Sequence, residues 1–180
     1  MAKLILSEFR CDAETNEVGD DSPYFVIFFG DPSNKLDPSV NKVKTIRKDM
    51  WDNETHTGKL WQPEMVVGGY VDPSRLVLVA LMEEDNSCDL VGDALQQINE
   101  WMRPTFAAHA VQGKTLAALA TEMIDEFEQA IEAYRTNDDL VQVLRLPIKS
   151  PSELNASGQL PLLWFNGDGG KYHVRFRVVE

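Results

Sequence analysis

The apolar residues of the chain follow the period of β-strands over most of its length. Short runs of β-branched, aliphatic and aromatic residues are separated by segments rich in Pro, Gly, Asp, Asn and Ser, which is the pattern of strands joined by turns. The clearest run, at 24–29, is bounded by Pro23 and Gly30, and its continuous hydrophobicity predicts a buried strand. The runs that predict strands are residues 3–10, 24–29, 40–47, 64–71, 75–82, 140–148, 160–165 and 172–179.

Between residues 90 and 136 the apolar period changes to that of a helix. Apolar residues recur at intervals of three and four from Ala94 to Met102, which predicts a first helix. We expect it to end at Pro104, because proline has no N–H to donate inside a helix. A second helix is predicted from about Thr115, and its long apolar stripe indicates packing against the body of the domain.

The order of these elements predicts the fold class. Strands do not alternate with helices and no internal repeat is present, so a parallel sheet of βαβ units is not expected. The last two runs are joined by Asn-Gly-Asp-Gly-Gly at 166–170, which supplies the positive φ angles of a tight hairpin. We therefore expect a mainly β, antiparallel two-layer β-sandwich with an inserted helical segment around residues 93–136, folded as a single domain over residues 1–180.

The net charge of −12 is concentrated in two parts of the chain. Residues 1–34 contain seven acidic and two basic residues, and residues 82–102 contain six acidic and no basic residues. Lys42, Lys44 and Lys48 form a small basic patch between these two parts. Because nucleic-acid binding proteins concentrate positive charge to displace counterions from phosphates, we expect no nucleic-acid partner and instead a divalent cation.

The chain has no apolar run near the roughly 20 residues that a transmembrane helix needs. Its N-terminus also lacks the basic and apolar regions of a secretory signal. We therefore expect no transmembrane segment and a cytoplasmic location, with non-classical secretion left open.

The motifs that mark common active sites are absent from the sequence, which predicts a non-enzymatic protein. The Gly-Lys-Thr at 113–115 lacks the earlier glycine of a phosphate-binding loop, and no serine lies in a Gly-x-Ser-x-Gly context. The three histidines do not have the spacing of a zinc hydrolase. Residues 12–23 are not an EF-hand loop, because Glu17 occupies the position of the required glycine and Pro23 that of the required glutamate.

Two acidic loops carry the remaining candidate chemistry. The first joins the predicted strands 3–10 and 24–29, and the second begins at Glu83, where the predicted strand 75–82 ends. Calcium takes about six to eight oxygen ligands, and carboxylates from two loops at one end of a sandwich can converge to supply them. A bound divalent cation would also offset the repulsion between the loops.

These loops resemble those of the C2 domain family of calcium-dependent, membrane-binding β-sandwiches. Gly-Asp-Asp-Ser-Pro-Tyr-Phe-Val at 19–26 is similar to the Gly-x-Ser-Asp-Pro-Tyr-Val of the first calcium loop, which precedes a strand. Residues 83–92 are similar to the later loop, which reads Asp-x-Asp, a spacer, and Asp-x-hydrophobic-Gly. The resemblance implies Ca²⁺ as the ligand and an anionic membrane surface or a protein as the partner. It implies first-loop ligands Asp12 or Glu17 with Asp20 or Asp21, and second-loop ligands Glu83, Asp85 and Asp89.

Other interpretations of the sequence remain open. Acidic loop tips can simply be solvated, so a metal-independent protein-protein interaction module is the main alternative, and a secreted or injected effector without a standard signal is another. Asp168 in the last hairpin is either a further ligand or a turn residue. Cys11 and Cys88 border the acidic loops; we expect free thiols, whereas a disulfide would require the loops to converge.

Overall fold

The computed structural model describes most of the chain, namely residues 2–14, 22–46, 57–69, 71–84, 92–111, 113–134, 138–167 and 169–179. The strands in these residues are β1 (Lys3–Ala13), β2 (Pro23–Gly30), β3 (Lys42–Ile46), β4 (Leu60–Trp61), β5 (Met65–Gly68), β6 (Leu76–Glu83), β7 (Asp139–Arg145), β8 (Leu163–Gly167) and β9 (Gly170–Val179). Two long helices, α1 (Gly92–Ala110) and α2 (Leu116–Tyr134), lie between β6 and β7. They correspond to the helical segment predicted around 93–136.

The strands form two antiparallel sheets. In the first sheet β1 pairs with β9 on one side and with β4 and β5 on the other, and β8 pairs with β9. The second sheet has the order β3-β2-β6-β7. This arrangement confirms the predicted mainly β class, the antiparallel pairing and the final hairpin, which joins β8 to β9.

The inner core consists of aromatic side chains that meet between the two sheets. Phe9 of β1 is fully buried, and its ring lies 5.3 Å from that of Phe25 on β2. The Phe9 ring also stacks on Trp61 at 5.0 Å and on Tyr172 at 5.7 Å. Aromatic pairs of this kind stabilise a core by about 1 kcal/mol each beyond the burial of their surface.

The two helices add a third layer over the outer face of the second sheet. Phe28 of β2 points to this side, and its ring lies 5.4 Å from Phe106 of α1 and 6.2 Å from Phe127 of α2. As a result β2 and β6 are buried along their entire lengths. This burial on both faces explains their continuous apolar sequences, because such a strand does not alternate apolar with polar residues.

Helix α1 does not end at Pro104, so that prediction was wrong. The helix continues through Pro104 to Ala110, although proline removes one backbone hydrogen bond. Pro104 lies on the exposed face, where water can reach the freed backbone group, and the buried side of α1 continues from Met102 to Phe106. The contact of Phe106 with Phe28 therefore outweighs the lost hydrogen bond.

Helix α2 begins where the sequence predicts. Its first residue is Leu116, and the Thr115 hydroxyl accepts a hydrogen bond from the backbone N–H of Ala118 at 3.2 Å, which is the geometry of an N-cap. The predicted apolar stripe is buried from Leu119 to Ile131. Within the described residues, no helix combines the length and the hydrophobicity needed to span a bilayer.

The loop from β2 to β3 is organised by the buried carboxylate of Asp31. Asp31 accepts hydrogen bonds from the Ser33 N–H at 2.9 Å and from the Asn34 amide at 3.0 Å, and it pairs with Arg75 at 2.9 Å. The Asp31 N–H in turn donates to Asn41 Oδ1 at 2.7 Å. Burial alone would raise the pKa of Asp31, but these hydrogen bonds and the Arg75 charge outweigh burial and hold the pKa below its ordinary value.

We expect Asp31→Asn to lower the free energy of unfolding at pH 7 by about 2 kcal/mol, because an amide cannot accept all of these charged hydrogen bonds. A depressed folded pKa stabilises the protein above the ordinary value of 3.8 and ceases to do so as the pH falls through the folded pKa. The difference in the free energy of unfolding between wild type and Asp31→Asn should therefore be smaller at pH 3 than at pH 7. Urea denaturation at both pH values measures it, with exposed Glu100→Gln as the control. An equal difference at pH 7 and pH 3 would contradict the assignment.

Candidate functional site

Strand ends from both sheets meet at one end of the sandwich. Strand β2 begins at Pro23, which pairs with the last residue of β6, Glu83, and Glu83 pairs with the first residue of β7, Asp139. Strand β1 ends at the same level, because Phe9 near its end packs on Phe25 near the start of β2. We call this region the acidic end. Its described acidic residues are Asp12, Glu14, Glu83, Glu84, Asp138 and Asp139.

The attachment points of the two acidic loops are hydrogen-bonded to each other at the acidic end. The backbone N–H of Ser22 donates to Glu83 Oε1 at 3.0 Å, and the backbone N–H of Glu84 donates to the Ser22 carbonyl at 3.3 Å. Ser22 is the last residue of the first loop, and Glu84 leads into the second. The two loops therefore leave the sandwich from adjacent points.

Carboxyl groups are buried directly below these attachment points. Glu83, Glu84 and Asp138 are 4%, 5% and 2% exposed. The Tyr24 hydroxyl donates a hydrogen bond to Asp138 Oδ2 at 2.6 Å. Taking a carboxylate out of water costs several kcal/mol unless partners compensate it, and hydrogen bonds from the Ser22 N–H to Glu83 and from the Tyr24 hydroxyl to Asp138 supply part of that compensation.

Asp12 lies on the first sheet and contacts basic side chains there. Its Oδ2 is 2.9 Å from His173 Nδ1, and its Oδ1 is 3.2 Å from Arg10 Nε. The other ring nitrogen of His173 is 3.5 Å from Glu8 Oε1, and the Trp164 ring packs on the imidazole at 5.1 Å. Both oxygens of Asp12 are thus engaged within its own sheet.

The structure describes two of the predicted metal ligands. Asp12 lies on the first sheet and Glu83 on the second, and within the described residues no three His, Cys, Asp or Glu side chains are grouped to hold a metal ion. Cys11 is buried in β1. The remaining candidate ligands, the second cysteine and one lysine of the basic patch lie outside the described residues, namely Glu17, Asp20, Asp21, Asp85, Asp89, Asp168, Cys88 and Lys48.

Sequence reasoning missed Asp138 and Asp139 at the acidic end. Asp138 directly precedes β7, and Asp139 is its first residue. Strand β7 pairs with β6 in antiparallel register. The signal was available, since a strand antiparallel to β6 must begin at the end where β6 stops. If the predicted strand 140–148 pairs with β6 in this way, Asp138 and Asp139, which precede it, must lie at the acidic end.

Comparisons with models of protein families, with curated proteins and with solved structures found no match. The C2 resemblance therefore rests on the loop residues at 19–26 and 83–92 alone. What the geometry adds is the contact between the attachment points of those two loops.

Proposed function

We propose that the protein is a non-enzymatic module that binds a divalent cation, with Ca²⁺ as the expected ion, at its acidic end. The observation that carries this proposal is the pair of hydrogen bonds that join Ser22 to Glu83 and Glu84. Because the two loops start from adjacent points, their carboxylates need to span only a short distance to share one ion.

The chemistry of the loops supports calcium. The first loop carries Glu17, Asp20 and Asp21, and the second carries Asp85 and Asp89. With backbone carbonyls and water, five carboxylates supply the roughly six to eight oxygen atoms that Ca²⁺ requires. Magnesium fits less well, because it demands a near-octahedral site and retains several of its own waters.

The role of the ion follows from electrostatics. Without the ion, the acidic end carries a strongly negative potential and repels anionic surfaces. Bound Ca²⁺ neutralises that charge and offers open coordination positions to a phosphate or carboxylate. Calcium would thereby switch the acidic end towards an anionic membrane surface or an anionic protein.

Calorimetric titration of calcium into chelator-stripped protein, together with thermal melts with and without calcium, tests this function. We expect saturable heat and a raised melting temperature, because a ligand that binds only the native state stabilises it by about 2.7 kcal/mol at 100 times its Kd. Asp21→Asn and Asp85→Asn should each abolish this response while leaving the melt without calcium unchanged. Asp125→Asn, an exposed residue on α2, is the matched control and should respond like wild type.

Two outcomes would contradict the proposal. Flat calorimetry at millimolar calcium would exclude the site, and normal binding by Asp21→Asn and Asp85→Asn would exclude these ligands. A flat titration combined with a mass that rises with protein concentration would favour the metal-independent interaction module. One observation suits that alternative: Leu60 on β4 and Val66 on β5 are 48% and 55% exposed along the same edge of β1.

A further inference from the structure

Two lysines lie on the inner face of the outermost strand of the second sheet. In β3, Lys42 pairs with Phe29 and Lys44 pairs with Ile27 of β2, and paired residues of antiparallel strands share a face. Phe29 faces the first sheet, because a Cβ built on Gly68 of β5 would lie 2.7 Å from its ring. Both lysines therefore extend along the opening between the two sheets.

This opening is a cavity of about 370 Å³, which we call the lysine groove. Lys42, Lys44 and Arg75 lie on its walls, Phe29 contributes an apolar surface, and the backbone of Gly68 and Gly69 lies opposite. A Cβ at Gly69 would have no atom within 4 Å. Gly69 therefore borders open space, whereas Gly68 is in close contact with the Phe29 ring.

The charges of the two lysines are not compensated inside the groove. Among the described residues, no acidic side chain lines the groove, and the ammonium groups of Lys42 and Lys44 form no ion pair or hydrogen bond. Arg75 differs, because Asp31 and Asp72 lie 2.9 and 3.5 Å from its guanidinium. Burial, and then the charge of Lys42, lower the pKa of the Lys44 ammonium.

The charge of Lys42 does reach one acid outside the groove, Asp37. The Asp37 carboxylate accepts a hydrogen bond from the Ser39 N–H at 2.8 Å and is exposed. Its attraction for Lys42 is therefore weakened by water, and the groove retains two positive charges in a protein of net charge −12.

Protection of a sheet edge is the ordinary reason for a lysine on an outer strand. In β3 another residue covers this edge at its centre. Asn99 of α1 accepts a hydrogen bond from the Val43 N–H at 2.8 Å and donates to the Val43 carbonyl at 3.4 Å. The edge is thus already blocked there, and two lysines on the inner face need a different explanation.

We propose that the lysine groove binds the dianionic phosphate group of a small molecule. Two ammonium groups without an acidic partner in the groove match the two negative charges of a phosphate, whereas a single carboxylate would leave one cation unbalanced. Phe29 provides a surface for an apolar part of the ligand. This site lies at the other end of β2 from Pro23, about 20 Å from the acidic end at the rise of a strand, and it does not depend on calcium binding there.

Calorimetric titration of chelator-treated protein with inorganic phosphate tests this site. Sodium glycerol 3-phosphate forms a second arm, and sodium acetate at equal ionic strength is the monoanion control. We expect saturable phosphate binding, no acetate binding, and at least tenfold weaker binding in Lys42→Gln and Lys44→Gln. Lys3→Gln, an exposed lysine on β1, should bind like wild type. Tighter binding of glycerol 3-phosphate than of inorganic phosphate would identify an organic phosphate as the ligand.

A second variant tests the groove without changing the lysines. Gly69→Asp adds a carboxylate at a residue that lines the groove, where a Cβ meets no atom within 4 Å, and we expect it to weaken phosphate binding while its thermal melt stays like that of wild type. The proposal is overturned if phosphate gives no saturable heat, if acetate binds equally well, or if the lysine variants bind phosphate as tightly as Lys3→Gln.

Discussion

Replacing Gly167 with alanine is expected to lower the free energy of unfolding by about 3 kcal/mol. Gly167 ends β8 in the first sheet, and its backbone approaches Val141 of β7 in the second. A Cβ on Gly167 would lie 2.1 Å from the Val141 carbonyl oxygen. Because that oxygen belongs to the backbone, a strand must move to relieve the overlap, and no rotation of a side chain can do so.

Urea denaturation of Gly167→Ala, measured by circular dichroism, tests this expectation. Gly69→Ala is the matched control, since its added methyl group meets no atom within 4 Å. We expect Gly167→Ala to have a lower denaturation midpoint than wild type. The hydrogen bond of 3.0 Å from the neighbouring Asn166 N–H to Gln142 Oε1 should be lost as well. Equal stability of the two variants would mean that β7 and β8 are farther apart than described.

Most of the fold could be predicted because hydrophobic patterning reports burial directly. The run at 24–29 reads as a strand covered on both faces, and β2 is buried in this way. β4 could not be found, because two residues are too few to show a period. It exists because Leu60 and Trp61 pair with β1, and such a long-range pairing leaves no local pattern.

The end of α1 shows where local rules fail. Pro104 is a valid stop signal when the cost of a lost hydrogen bond is the only consideration. The opposing term is the burial of Phe106 against Phe28, and these two residues are far apart in the sequence. The local sequence therefore indicates the lost hydrogen bond at Pro104, but it does not indicate the stabilising contact of Phe106 with Phe28.

The acidic strand ends could be predicted from the charge pattern, but the contacts at those ends could not. Charge clustering indicated two acidic loops, and the structure joins their attachment points through Ser22 and Glu83. The contact of Asp12 with His173 could not be foreseen, because 161 residues separate them and only the pairing of β1 with β9 brings them together. The calcium ligands themselves stay a prediction.

Asn99→Leu is expected to destabilise the protein by about 2 to 3 kcal/mol. Asn99 is buried on α1 and connects the helical layer to the edge of β3, where its Oδ1 accepts from the Val43 N–H at 2.8 Å. Its amide also donates to the Leu95 carbonyl at 2.9 Å. Leucine has a similar size but no polar atoms, so the backbone groups of Val43 would be left without these partners in a buried place.

The same substitution is expected to loosen the contact of α1 with β3 and so to expose the edge of β3, which makes self-association measurable. Unpaired backbone groups on an outer strand are a template for pairing with a second chain. Denaturation midpoints and sedimentation of Asn99→Leu should therefore show lower stability together with a mass that rises with concentration. Gln97→Leu, an exposed position on the same helix, adds the same hydrophobic side chain and should change neither. If both variants behaved alike, surface hydrophobicity and not the uncovered edge of β3 would explain the association.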